Sequence, residues 1–128
     1  MKDKNLLIMI DDDTDDHEIF NMALGEIEKP LKCLFFPDCE HAIAHFHDPN
    51  VDTPGLVFVD LNLPRIDGKE CLLDLQKISK FDHPRMVIYS GSVPSHFKQD
   101  LEEIGVDKFL EKSGLISVLV EQIKELLE

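Results

Sequence analysis

Short unbroken apolar runs alternate with amphipathic stretches along the whole chain. The runs occupy residues 6–10, 31–36, 56–59 and 86–89, with a weaker one at 108–111. They are short and rich in β-branched and aromatic side chains, which suits strands buried on both faces. The stretches between them repeat at helical spacing. Thr14 is placed to cap a helix running to about residue 27, with Ile19, Ala23 and Ile27 on one side. Pro37-Asp38 opens a second, with Ala42, Ile43 and Phe46 facing inward. Asp67-Gly68 precedes a third, carrying Cys71, Leu72, Leu75 and Ile78. Pro94-Ser95 starts a fourth, with Phe97, Leu101 and Ile104 on one side and Gly105 at its end. In the last, Leu115, Ile116, Leu119, Val120, Ile123, Leu126 and Leu127 form a broad apolar stripe. The pattern is therefore β-α repeated five times. Right-handed crossovers turn such a chain into a doubly wound α/β fold, a five-stranded parallel sheet with five helices over its two faces.

Composition narrows the function. With 128 residues, 43% of them hydrophobic and 30% charged, residues 1–128 read as one globular domain. Thirteen Lys and Arg stand against 26 Asp and Glu, a formal charge of −13. A polyanion of this kind repels nucleic acid and anionic lipid, so direct binding to either is not expected. No apolar run is long enough to cross a bilayer, and the first one is too short for a signal peptide. Cys33, Cys39 and Cys71 are odd in number and form no CxxC pair. Neither a disulfide framework nor a zinc site is indicated, and a reduced, cytoplasmic setting is the default.

In doubly wound sheets, ligands sit beyond the carboxyl ends of the strands. The residues there are Asp11, Asp12 and Asp13 after the first run, Asp60 after the third, Ser90-Gly91-Ser92 after the fourth and Lys112-Ser113 after the fifth. A single Asp after a strand is ordinarily a turn or helix cap. Carboxylates at two strand ends with a cation at another are a different matter. Such a cluster repels itself by about 1 kcal/mol per close pair in water, and by more when partly buried. A divalent cation with oxygen ligands, magnesium above all, would relieve that repulsion.

These residues resemble the receiver domain of two-component response regulators, of the stand-alone chemotaxis-regulator type, over essentially the whole chain. The resemblance rests on Asp11-Asp12 after strand one, on Val59-Asp60 with Pro64 and Asp67-Gly68, on Ser90 and on Lys112. It implies a flavodoxin-like sheet of order 2-1-3-4-5. It also implies a regulatory phosphoacceptor rather than an enzyme, whose only chemistry is self-directed phosphoryl transfer and autodephosphorylation. Asp60 would accept a phosphoryl group from the phosphohistidine of a sensor histidine kinase or histidine phosphotransfer protein. Asp12, Asp60 and the main-chain carbonyl of Asn62 would hold Mg²⁺, with Asp11 acting through water. Lys112 would pair with the phosphoryl oxygens. Ser90 would turn inward to them, and Phe109 would change rotamer with it. Asn62 and Ser92 would modulate the lifetime of the phosphorylated form. The downstream protein is not named by the sequence, and a homodimer stays open as a partner state.

Two positions depart from the family pattern. Ser113 follows Lys112 where proline, often after a cis bond, is usual. A cis bond before a non-proline residue costs about 2.5–4 kcal/mol, so the loop either runs trans or stores strain. Phe109 stands where tyrosine is common, which removes a phenolic hydrogen bond while leaving a rotamer switch.

Other signals are weaker. A calcium loop starting at Asp11 lacks its glycine and its final glutamate. His41 and His45 share a helix face but lack a third zinc ligand. Ser90 has no nucleophile-elbow glycine two residues before it. Asp15, Asp16 and Glu18 near a helix start are accounted for by its dipole. Two alternatives to the phosphorylation switch stand beside it. One is a magnesium-dependent phosphatase with an aspartyl nucleophile, against which Asn62 replaces the expected second acid. The other is a receiver-shaped interaction domain that needs no phosphorylation.

Overall fold

A computed structural model describes residues 2–78 and 84–127. Its elements alternate as expected: β1 (Lys2–Ile10), α1 (Thr14–Gly25), β2 (Lys32–Phe36), α2 (Cys39–Phe46), β3 (Thr53–Val59), α3 (Gly68–Gln76), β4 (Arg85–Ser90), α4 (Ser95–Glu103), β5 (Val106–Glu111) and α5 (Ile116–Leu127). The strands form one sheet in the order β2-β1-β3-β4-β5, every pair parallel. The order reverses between β1 and β3, which makes the carboxyl ends of those two strands the natural crevice.

The period-two alternation of each strand sorts its side chains onto two faces. Ile8, Ile10, Val57, Val59, Met86 and Ile88 point to the layer of α2, α3 and α4, where they pack with Phe46, Leu72 and Leu75. Leu7, Met9, Leu56, Phe58, Val87 and Tyr89 point to α1 and α5, meeting Phe20, Ala23, Leu119 and Ile123. Among the described residues, no helix is long and apolar enough to cross a membrane.

Several expectations are corrected in detail. Asp13, not Thr14, caps α1, its carboxylate accepting from the Asp15 N–H at 2.9 Å. Asp38 and Asp67 cap α2 and α3 in the same way. Phe97 of α4 and Leu115, just before α5, lie outside the core, 44% and 59% exposed, although Leu101 of α4 and Leu119 of α5 are buried. Strand β3 begins at Thr53, ahead of its apolar run, because Thr53 and Pro54 pair with Lys2 and Asp3 of β1. The peptide bond from Lys112 to Ser113 is trans, as are the others among the described residues.

The cysteines provide the largest correction. Cys39 at the start of α2 and Cys71 in α3 form a disulfide across 32 positions of sequence, with Cα atoms 5.6 Å apart. Their spacing matches no local motif. They meet because α2 and α3 pack side by side on one sheet face, burying both residues. Cys33 stays free, and burial pushes its thiol far above the ordinary range.

Candidate functional site: an acidic rim closed by one lysine

Asp11 and Asp60 stand one residue beyond β1 and β3, each still tied to the neighbouring strand. The Asp11 N–H donates to the Phe36 carbonyl and the Asp60 N–H to the Ile10 carbonyl, both at 3.0 Å. Lys112 is held likewise, its N–H donating to the Ser90 carbonyl at 2.9 Å. The site is thus built on rigid strand ends rather than on free loops. After Asp60 the chain folds back on itself, and the Gly68 N–H donates to the Leu61 carbonyl. A Cβ on Gly68 would lie 2.4 Å from the Asp60 carbonyl oxygen, so only glycine permits this approach. Arg65, in the same loop, sits in the left-handed region at φ 63°. It is clamped there by ion pairs to Glu40 and, at 2.9 Å, to Asp38.

The Asp60 carboxylate is held at both oxygens. Oδ1 accepts from the Ser90 hydroxyl at 2.9 Å and from the Asn62 N–H at 3.0 Å, while Oδ2 accepts from Lys112 Nζ at 2.8 Å. Burial works to raise its pKa. The Lys112 and Asn62 hydrogen bonds, the Lys112 charge and Ser90 outweigh it and hold the group below the usual carboxylate range. Asp11 goes the other way. It is almost wholly buried, and desolvation pushes it up to about 6 despite the Lys112 ammonium and the Asp13 N–H. Lys112 is raised above its ordinary value: desolvation opposes this, but contacts with Asp11, Asp16 and Asp60 prevail.

Ligand oxygens of Asp11, Asp12 and Asp60 all lie within 4.8 Å of one another. Two ligands of one magnesium ion stand at most about 4.2 Å apart, given bonds near 2.1 Å, so small side-chain rotations suffice. Asp11 Oδ2 is buried, with the Lys112 ammonium 2.7 Å away as its ion-pair partner. Three carboxylates gathered at one point, two of them buried, form an all-oxygen donor set that fits a hard divalent cation.

The other expected site residues are less central. The Asn62 side chain is exposed and lines a groove with Ser92, Lys69 and Phe97, a groove to which Asp60 itself does not contribute. Phe109 is half-buried against the α2–α4 layer, with Lys98 Nζ 5.8 Å from its ring centroid. His41 bonds Asp38 at 2.7 Å and belongs to no metal cluster among the described residues.

One residue was assigned no place in the site by the sequence. Asp16, read there as a helix-dipole charge, accepts from Lys112 Nζ at 2.6 Å. A carboxylate one helical turn after Asp12 was the available signal, but only the fold shows that it faces Lys112.

A sheet of this order defines the doubly wound class, and Asp11 and Asp60 stand at the switch point where such folds bind ligands. The chain belongs to the response regulator receiver domain family, whose model matches residues 7–124. Solved structures share the fold at low identity. The phosphorylated cyanobacterial phytochrome response regulator RcpA superposes with a TM-score of 0.83 at 23% identity, covering 97% of this chain and 91% of that one. The Mn²⁺-bound response regulator Rcp1 gives 0.81 at 21%, covering 95% and 91%. The Vibrio cholerae chemotaxis protein CheY4 gives 0.80 at 15%, covering 96% and 98%. No curated protein matches the chain.

Proposed function

We propose that this receiver domain is a phosphorylation-controlled switch in which Asp60 takes a phosphoryl group from a phosphohistidine of a histidine kinase or phosphotransfer protein. The observation carrying this reading is the Asp60 carboxylate itself, kept ionised by Lys112, Ser90 and the Asn62 N–H beside the Asp11–Asp12 pair. A carboxylate oxygen forms the new O–P bond as the donor P–N bond breaks, leaving an acyl phosphate on Asp60 and a neutralised imidazole on the donor. Phosphoryl transfer passes through a loose transition state, so positioning and charge stabilisation are what a protein contributes.

Asp12, Asp60 and the Asn62 carbonyl would hold Mg²⁺, with Asp11 one water further out. The ion, when bound, offsets charge on the phosphoryl oxygens. Lys112 supplies a second positive charge, and the Ser90 hydroxyl, which donates to Asp60 Oδ1, would donate to the same group. The phosphoryl group brings roughly −1.5 to −2 of charge. Ser90 and Lys112 would follow that charge, and Phe109 would repack as Ser90 moves, altering the surface offered to a downstream protein. Asn62 and Ser92, which line one groove, would set how easily water reaches the acyl phosphate.

Incubation with Mg²⁺ and acetyl phosphate should add one phosphoryl mass, and Asp60→Asn or chelation of the metal should abolish the gain. Absence of uptake from acetyl phosphate, phosphoramidate and phosphohistidine donors alike would overturn the switch. Steady turnover of a phosphate ester would instead mark a phosphatase.

A further inference from the structure

Lys112 has more partners than phosphoryl transfer requires. Two of its three carboxylates, Asp11 and Asp60, belong to the group that fits a cation. The third, Asp16, does not. It comes from the first turn of α1, 96 positions away in sequence, and makes the shortest of the three contacts, 2.6 Å. Both side chains of this pair are only 16% exposed. On its other side the ammonium lies 5.7 Å from the centroid of the buried Tyr89 ring. The neighbouring Asp15 serves the helix dipole equally well from an exposed position, so the dipole does not account for where Asp16 points.

We infer that Asp16 is a positioning residue for Lys112, a fixed tether that keeps the ammonium at the rim when Asp11 and Asp60 turn to other partners. This deepens the phosphoacceptor reading and rests on it for its purpose. A cation on Asp12 and Asp60, with Asp11 one water further out, draws on both of the other carboxylates that hold Lys112. A phosphoryl group on Asp60 consumes one of them. Without a third anchor, a long flexible ammonium side chain at the edge of the sheet would swing into solvent at the step that needs its charge. Asp16, on a helix packed to the same sheet face as α5, takes no part in ligation or transfer and keeps its place throughout.

The experiment separates the tether from the switch. Lys112 is acylated with acetic anhydride in the full-length protein, with and without Mg²⁺, and its modification is read by peptide mass spectrometry. Wild type should keep Lys112 protected in Mg²⁺. Asp16→Ala should raise its labelling about tenfold when Mg²⁺ is present, the loss expected for one charge-assisted hydrogen bond. Asp16→Asn should fall between them, because an amide oxygen still accepts from the ammonium. A general loss of packing would raise labelling with and without the ion and would not be rescued by asparagine. Uptake from acetyl phosphate should slow in Asp16→Ala, by up to about a hundredfold if Lys112 is displaced by about 1 Å. Equal Lys112 labelling in Asp16→Ala and wild type, Mg²⁺-independent labelling of the variant, or uptake as fast as wild type would each overturn the tether. Failure of wild type to take up phosphoryl from any donor would overturn the switch instead, and the labelling would still decide whether Asp16 holds Lys112.

Discussion

Two charged clusters flank the loop that follows Asp60, and they are built on opposite terms. At the rim, four acids (Asp11, Asp12, Asp16 and Asp60) gather near one ammonium, Lys112, which contacts all but Asp12 and whose side chain is 16% exposed. On the α2–α3 side, Arg65 is 61% exposed and bridges Asp38 and Glu40, one guanidinium tying two carboxylates together beside a buried disulfide. The rim carries an excess of like charge that its single lysine cannot neutralise, so it is held in tension and open to a cation. The flank is covalently fixed, and its guanidinium ties two carboxylates of α2 and its cap to the loop. A switch needs both, a responsive site and a scaffold against which its movement registers.

The comparison can be broken at several points. The largest effect on stability is expected at the flank's covalent link. Replacing both Cys39 and Cys71 by alanine should lower urea-unfolding stability by about 3–4 kcal/mol, the range for a cross-link closing a loop of this length. Phosphoryl uptake should survive, since neither sulfur reaches Asp60. An unchanged unfolding midpoint would show that the bond contributes no staple.

Next comes the rim. Lys112→Met leaves buried Asp11 and Asp60 facing each other without a counter-charge and should cost about 2–3 kcal/mol, just below the range for a wholly buried pair. Mg²⁺ should restore much of that loss in Lys112→Met and do nothing for the cysteine double variant beyond its effect on wild type. In wild type, free Mg²⁺ at one hundred times its dissociation constant should add about 2.7 kcal/mol. Asp60→Asn should remove most of that gain, and calorimetric titration would check the lost affinity directly.

The smallest effect is expected at Arg65, whose guanidinium is exposed although Asp38 is buried, because pairs made by an exposed charge contribute little. Arg65→Met should destabilise slightly, and Arg65→Gly should recover part of the loss by relieving the positive φ. The effect should depend on pH in a defined direction. The Arg65 hydrogen bond holds Glu40 below its usual value. Asp38 is also lowered: burial opposes ionisation, but the His41 N–H, the His41 ring and Arg65 outweigh it. Depressed carboxylates stabilise the fold fully above their unfolded pKa, about 4, and lose that contribution as pH falls through the folded values. The gap between wild type and Arg65→Met should therefore be open at neutral pH and close in acid. A gap that widens in acid would contradict the assignment.

How much of this was visible in sequence depends on whether a residue's role is local. Asp38 and Asp67 lie where helices begin, and a carboxylate before an amphipathic stretch already announces a cap. Asp11, Asp60, Ser90 and Lys112 follow apolar runs directly, so the α/β rule that ligands gather at strand ends picks them out. The same local logic misplaced the α1 cap by one residue, since Thr14 and Asp13 are both good capping types. It also buried Phe97 and Leu115, because periodicity registers a helical face without showing how far the neighbouring layer extends over it.

The amino-acid order alone determined the alternation of strands and helices, the parallel sheet and the set of side chains at its carboxyl edge, because period and strand-end position are properties of neighbours in the chain. Tertiary structure alone decided that Asp16 meets Lys112, that Cys39 bonds Cys71 and that Arg65 reaches across to α2. Each of those partners lies 25 to 96 positions away. Contacts at such separations depend on how helices pack over the two faces of the sheet, and many different sequences satisfy the same local pattern without making them.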